Sequence, residues 1–175
     1  MTTLEMEIEL MKHFDIRRNI IVPNVTDMSG LVGFETDLLV LSKSGYATAI
    51  EIKVSKSDLK NDLKKNHIQR ISNGWISEYN GQTAKERYFK NIKWFYYAVP
   101  EYLQEEALKQ IPDFCGLLVA REYKHSGINK VTFLNPNNRP AQIIYNKKWS
   151  LEMQLKLARL GTMRILKYKN KLNKL

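Results

Sequence analysis

Two acidic residues and a lysine carry the most specific chemical signal in this sequence. Glu51 and Lys53 are two residues apart in the run from Tyr46 to Val54, which reads as a strand, so both side chains should lie on one face. Asp37 belongs to a second strand-like run, Thr36 to Leu41, and a turn-rich tetrapeptide joins the two runs as a hairpin. Pairing across a loop of four or five residues brings Asp37 opposite Glu51 or the residue before it.

Such a group of charges is suited to binding a metal ion. Two carboxylates held a few ångströms apart repel, and each raises the pKa of the other unless a cation lies between them. Carboxylate ligands without convergent histidines or thiolates favour Mg²⁺ or Mn²⁺ over zinc. A hard cation can contact a phosphate oxygen and acidify a bound water, and the Lys53 ammonium can orient or help deprotonate that water. Phosphodiester hydrolysis needs these groups.

A further acid lies in the first predicted helix, residues 3–15. The apolar residues of this helix fall within one broad arc at about 3.6 residues per turn. They are Leu4, Met6, Ile8, Leu10, Met11 and Phe14. Glu7 projects from the middle of that arc, and a carboxylate among core residues is costly unless it is paired or binds a metal. Glu7 is therefore a third candidate acid.

The remaining pattern alternates strands with helices. An apolar run interrupted by Pro23 suits an edge strand or a strand that ends at the proline. The run 55–58 offers several N-cap oxygens before a polar, lysine-rich helix that continues through Lys65 and beyond. The other predicted elements are a strand at 93–99, a helix at 101–111, strands at 115–120 and 131–134, and a basic amphipathic helix at about 150–171. We predict a single α/β domain over residues 1–175, with a mixed central sheet.

The order of these elements and acids resembles the PD-(D/E)xK nuclease superfamily, which includes many restriction enzymes and archaeal Holliday-junction resolvases. The likeness rests on Glu7 in the first helix, on Asp37, and on the Glu51-Ile52-Lys53 triplet after thirteen intervening residues. It implies a restriction-endonuclease-like fold, in which helices flank the mixed sheet, with an αβββαβ core. It also implies that Asp37, Glu51 and the Ile52 main-chain carbonyl bind magnesium, that Glu7 completes the metal site, and that Lys53 is the catalytic lysine. The run 45–65 is similar, more specifically, to MmcB-type DNA repair proteins.

The sequence departs from the superfamily pattern in two respects. Thr36 stands where the superfamily has proline, which leaves the metal-binding acid in place. No clear glutamine-and-tyrosine motif of the exonuclease branch follows the triplet, although Gln69 is nearby, so we do not expect an exonuclease. Glu35 lies two residues before Asp37 on the same strand face. Glu35 is therefore a candidate to support the metal ligands or to bind a second metal ion.

The charge distribution favours an anionic partner. Residues 1–52 carry eight acids and four bases, net −4, whereas residues 53–175 carry ten acids and 24 bases, net +14. A basic excess attracts nucleic-acid phosphates, anionic lipids or acidic proteins. Four lysines after the triplet are separated by steps near helical spacing, which suits phosphate contacts as well as it suits an ordinary solvated helix surface. They are Lys56, Lys60, Lys64 and Lys65.

The cellular setting is inferred from what the sequence lacks. Cys115 is the single cysteine, so no intramolecular disulfide can form, and the sequence opens without a secretory leader. No apolar run approaches the roughly 20 residues that cross a bilayer. We expect a cytoplasmic protein with no membrane association. Many nucleases of the fold that it resembles act as dimers, so a homodimer is compatible with the resemblance, but no sequence pattern identifies an interface.

Our main hypothesis is a magnesium-dependent DNA endonuclease that acts in repair or recombination, with Mn²⁺ able to replace Mg²⁺. An acid-x-lysine triplet alone more often forms a solvated salt bridge, but Asp37, the hairpin and Glu7 together favour a nuclease site. The first alternative is a non-catalytic nucleic-acid-binding protein that keeps the fold and the basic surface. The second is a protein-interaction scaffold that binds neither metal nor DNA.

Overall fold

The computed structural model describes residues 1–64, 88–125, 128–135 and 141–173. The helices and strands within these ranges are numbered here in chain order. They are α1 (Thr3–His13), β1 (Ile20–Val25), β2 (Thr36–Leu41), β3 (Ala47–Ile52), α2 (Lys56–Leu63), β4 (Trp94–Pro100), α3 (Gln104–Gln110), β5 (Gly116–His125), β6 (Ile128–Leu134) and α4 (Leu151–Leu172). Short 3₁₀ turns occupy Asp27–Ser29 and Glu101–Leu103.

The six strands form one mixed sheet in the order β1-β2-β3-β4-β5-β6. The pairs β1–β2, β2–β3 and β5–β6 are antiparallel, and β3–β4 and β4–β5 are parallel. The prediction of an α/β fold with a mixed central sheet and flanking helices is confirmed. Strand β1 lies at the edge of the sheet, as expected for a strand that contains Pro23.

Apolar side chains cover both faces of the sheet. One face packs Ala47 and Ala49 of β3 with Leu59 of α2 and Leu157 of α4. The opposite face packs alternate residues of the same strand against Met6 and Leu10 of α1, and those strand residues are Ile50 and Ile52. Because β3 is covered on both sides, any charged side chain that it carries must be buried or must lie at the end of the strand.

The β2–β3 turn fixes the register that positions the acids. The Gly45 amide donates to the Ser42 carbonyl at 2.8 Å, and Gly45 has a φ of +85°, a conformation that glycine adopts without a side-chain penalty. The pairs run from Leu41↔Ala47 to Leu38↔Ile50. Continued by one residue, this register sets Asp37 opposite Glu51, which is the second of the two predicted registers.

The first helix differs from its prediction. It ends at His13, and Asp15 adopts a φ of +50°, which is incompatible with continued helix. The prediction of a broad buried arc is wrong for Leu4 and Ile8, which are 62% and 44% exposed. Only the side that bears Met6 and Leu10 is fully buried, because the sheet beneath covers a narrow stripe of this helix.

The later elements lie close to their predicted positions. Strand β5 extends further than expected because its exposed outer half, from Arg121 to His125, pairs with β6. Helix α4 begins and ends within one residue of the predicted basic helix. No helix in the described ranges is both long enough and apolar enough to cross a bilayer.

Candidate active site

The β2–β3 hairpin brings Asp37, Glu51 and Lys53 together. The Lys53 Nζ atom lies 2.9 Å from Glu51 Oε2 and 3.7 Å from Asp37 Oδ2. Glu51 and Lys53 are buried, whereas the Asp37 side chain is 33% exposed. Solvent or a ligand can therefore approach the cluster from the Asp37 side.

The backbone of β3 fixes the Asp37 carboxylate. Asp37 Oδ2 accepts a hydrogen bond of 2.8 Å from the Ile52 amide, and the next amide, that of Lys53, donates at 3.0 Å to the Ala98 carbonyl of β4. The amide and carbonyl of one strand residue point to the same side, so the Ile52 carbonyl is directed towards Asp37. Thr36 donates through Oγ1 to the Ile50 carbonyl at 3.1 Å and holds the start of β2 to β3.

A fourth charged group, which sequence reasoning missed, completes the cluster. Asp62 of α2 is 3% exposed, and its Oδ1 lies 3.2 Å from Lys53 Nζ. Its Oδ2 accepts a hydrogen bond of 2.8 Å from the hydroxyl of Tyr97, a fully buried residue of β4. The sequence did contain a signal: Asp62 lies three residues after the buried Leu59, so both share one face of α2.

Glu7 approaches the cluster from α1. Its side chain is half-buried, and its pKa is raised, first by burial and then by the negative charge of Asp37. Asp37 is thus the charged group that raises the pKa of Glu7 after burial has done so.

Among the described residues, acids outnumber bases in the cluster. Asp37, Glu51 and Asp62 would carry three negative charges, and Lys53 carries one positive charge. Burial, reinforced by the carboxylates of Asp37 and Asp62 and opposed by the Lys53 ammonium, raises the pKa of Glu51 to about 7. Burial alone would lower the pKa of Lys53, but the three carboxylates outweigh it and the pKa rises, so this ammonium stays protonated.

The donor set fits a hard divalent cation. The described acids of the cluster offer only carboxylate oxygens, which are the ligands that a hard cation prefers. A bound cation would also offset the repulsion between these carboxylates. As the side chains stand, no three acids, histidines or cysteines in the described ranges converge as a ready metal cage. The Lys53 ammonium lies among the carboxylates instead, so a bound cation would share Glu51 and Asp37 with it.

Other predicted residues lie outside this cluster. Glu35 is exposed just before β2, and no described hydrogen bond or ion pair joins it to Asp37, Glu51 or Lys53. The predicted phosphate-binding lysines of α2 and its C-terminus are exposed. Those described are Lys56, Lys60 and Lys64. The Lys56 Nζ atom is 3.7 Å from a carboxylate oxygen of Glu106 on α3. Lys65 lies outside the described residues.

The raised pKa of Glu51 predicts a pH dependence of stability in metal-free protein. Because the folded-state pKa, about 7, exceeds the ordinary value of 4.5, this carboxyl favours folding most below pH 4.5, and its contribution is lost as pH rises to 7. At about 1.4 kcal/mol per pH unit, wild type should lose about 3 kcal/mol relative to Glu51→Gln across this window. Urea unfolding of both proteins in EDTA at several pH values measures the change. A constant difference from pH 4.5 to 8 would contradict it.

Comparison with known proteins supports the fold and is silent on function. Neither the protein-family models nor the curated proteins compared contain a match. A solved structure of a protein of unknown function from Silicibacter pomeroyi is similar, with a TM-score of 0.50 and 16% identity, covering 94% of this chain and 86% of that chain. At this identity the likeness shows a shared fold alone.

Proposed function

We propose that this protein is a magnesium-dependent nuclease of the PD-(D/E)xK type, an endonuclease that hydrolyses DNA phosphodiester bonds in repair or recombination. One observation carries the proposal. The β2–β3 hairpin sets Asp37 beside Glu51 and Lys53, and these residues form a partly open group of oxygen ligands in which the described acids outnumber the described bases. Mn²⁺ should substitute for Mg²⁺, because it also accepts oxygen ligands.

The order of elements supports the finer fold proposal. Within the described residues, helix α1 and strands β1, β2 and β3 are followed by α2 and β4, which is the αβββαβ order expected of a restriction-endonuclease-like core. The proposed site lies on β3, which pairs antiparallel with β2 and parallel with β4. Both features agree with the nuclease resemblance of the sequence.

Each residue of the cluster has a distinct proposed role. Asp37, Glu51 and the Ile52 carbonyl would hold the ion, with Glu7 as the additional acid from α1. The bound cation supplies Lewis-acid chemistry, polarising the phosphate and acidifying a water. Lys53 is held as an ammonium by its raised pKa, so we assign it to donating hydrogen bonds to the attacking water and to offsetting negative charge that develops at phosphorus. This choice favours an electrostatic role over a general-base role.

DNA is the proposed partner because of the charge of the chain. The overall net charge is +10, and the surplus of bases lies after residue 52. Lys60 and Lys64 are exposed four residues apart at one side of α2. Asp62, two residues from each of them, lies on the opposite, buried side of the helix, so these lysines would hold a DNA backbone against the outer surface of α2.

A non-catalytic DNA-binding protein with the same fold is the second candidate. The observation that favours it is the satisfied ion-pair arrangement, in which Lys53 already neutralises part of the charge of Glu51 and Asp62. This candidate predicts salt-sensitive DNA binding without turnover under any metal condition.

Closed circular DNA distinguishes the two candidates. EDTA-stripped protein is mixed with supercoiled plasmid, linear duplex, single-stranded and branched DNA, with Mg²⁺, with Mn²⁺ or with EDTA. We expect metal-dependent nicking of the circle, which has no ends and so reports endonuclease action. Binding to all four substrates without any cleavage in Mg²⁺ or Mn²⁺ would reject the nuclease and support the binding protein.

A further inference from the structure

We propose that Asp62 and Tyr97 form a positioning pair, which holds the Lys53 ammonium in place while the Glu51 and Asp37 carboxylates bind the metal ion. The inference rests on the proposed function and deepens it, because it adds two residues that the predicted motif does not contain. Neither residue would contact metal or substrate. Both would act through Lys53.

The two oxygens of the Asp62 carboxylate have separate partners. Oδ1 faces Lys53 Nζ at 3.2 Å, and Oδ2 accepts from the Tyr97 hydroxyl at 2.8 Å. The contact at Oδ1 is an ion pair and the contact at Oδ2 is a hydrogen bond, so the carboxylate is held at both oxygens and has little rotational freedom. The Tyr97 side chain of β4 thus fixes the Asp62 carboxylate, and the carboxylate in turn fixes the Lys53 ammonium.

The sheet register explains why Tyr97 can serve this purpose. The parallel pair Glu51↔Tyr97 sets the two side chains on the same face of neighbouring strands. The Tyr97 ring is fully buried and packs edge-on against Phe95, with ring centroids 5.3 Å apart. A packed aromatic ring with few rotatable bonds is a rigid support for its hydroxyl. That hydroxyl donates its hydrogen bond to Asp62 of α2.

Metal binding would involve only two of the three carboxylates around Lys53. Glu51 and Asp37 are the proposed ligands, so an arriving cation competes with the ammonium for their oxygens. Asp62 is 3% exposed on the α2 side, and one of its oxygens is already committed to Tyr97. It is therefore the partner that Lys53 can keep throughout the reaction. A flexible lysine side chain without such a partner would adopt many rotamers at the moment when its position matters.

Kinetics of two conservative variants test the pair. Tyr97→Phe keeps the ring and removes the hydroxyl, and Asp62→Asn keeps the shape and removes the charge. We expect kcat for DNA cleavage to fall about tenfold and about hundredfold, respectively, with KM and the Mn²⁺ dissociation constant within about twofold of wild type. The double variant should match Asp62→Asn alone, because both changes act on one contact chain. Matched controls are Tyr96→Phe, from the opposite face of β4, and the exposed Asp58→Asn of α2, each expected to retain wild-type kcat.

A second readout does not depend on cleavage. In protein labelled with ¹³C at the lysine Cε positions, an immobilised Lys53 gives two inequivalent ε-proton signals, assigned through Lys53→Arg. We expect the inequivalence to persist in Mg²⁺-loaded wild type and to collapse in Asp62→Asn. Unchanged ε-proton signals together with unchanged kcat per folded molecule would overturn the pair. If wild type cuts no DNA, the proposed function fails, while the ε-proton signals still decide whether Asp62 holds Lys53.

Discussion

Lys53→Met is expected to lower DNA cleavage about a thousandfold while binding Mn²⁺ about tenfold more tightly than wild type. Removal of the ammonium takes away the group assigned to the attacking water and to the developing charge at phosphorus, for which losses of about 10²–10⁴ are usual. The same change removes a cation that lies 2.9 Å from Glu51 and 3.2 Å from Asp62, so the carboxylates become freer to bind a metal ion. Activity and metal affinity should therefore move in opposite directions, measured by plasmid nicking and by calorimetric titration.

The stability of this variant needs a companion measurement. Removal of one partner of a buried ion pair costs about 3–5 kcal/mol, although protonation of Glu51 would reduce the loss. Lys53→Arg retains the charge but not the compact shape of the ammonium, so it should stay folded and remain impaired in cleavage. Lys109→Met, an exposed lysine of α3, is the matched control and should cut as wild type does. Equal cutting by folded Lys53→Met and wild type would remove Lys53 from the active site.

Asp37→Asn is expected to abolish cleavage, by about a thousandfold or more, without loss of the fold. The asparagine oxygen can still accept the hydrogen bond that the Ile52 amide donates to Asp37, so the hairpin keeps its register. The substitution removes a negative charge that raises the pKa values of Glu7 and Glu51. Metal-free protein should therefore unfold at an equal or higher urea concentration, whereas Mn²⁺ affinity should fall about hundredfold.

Asp37→Asn should lower the Mn²⁺ affinity without lowering the stability of metal-free protein. This combination distinguishes a metal ligand from an acid that only supports the fold. Calorimetric Mn²⁺ titration and urea unfolding in EDTA measure both quantities on the same preparation. Asp58→Asn, an exposed acid of α2, controls for the loss of one negative charge and should change neither quantity. Wild-type Mn²⁺ affinity in Asp37→Asn would show that this carboxylate is not a ligand.

The hairpin was predictable because its information is local. Apolar and charged residues alternate from Ile50 to Val54, and the turn contains a glycine with a positive φ, so the pairing and the facing of the side chains follow from the two-residue period of a strand. The exposure of Leu4 and Ile8 was not predictable in the same way. Apolar periodicity reports which side of a helix is hydrophobic, but the width of the buried stripe depends on the sheet surface beneath it.

Asp62 escaped prediction for a related reason. Its burial arises from the contact between α2 and β4, whose interacting residues Asp62 and Tyr97 are 35 positions apart in the chain. The surrounding residues of α2 are polar and lysine-rich, so composition indicated a solvated surface. The spacing from Leu59 carried the relevant signal, and the argument that singled out Glu7, an acid at a core position, applies to Asp62 equally.

The position of Lys53 among the acids also determines whether the fold should survive without the proposed metal ion. Small domains whose ligand groups repel one another stay unfolded until an ion arrives. Here a covalently attached cation partly neutralises the buried acids from the moment the sheet assembles. Chelation of divalent ions should accordingly inactivate the proposed site and leave the tertiary structure intact. In a cell short of divalent ions, the protein would then stay folded but inactive, and it would regain activity when the ions return.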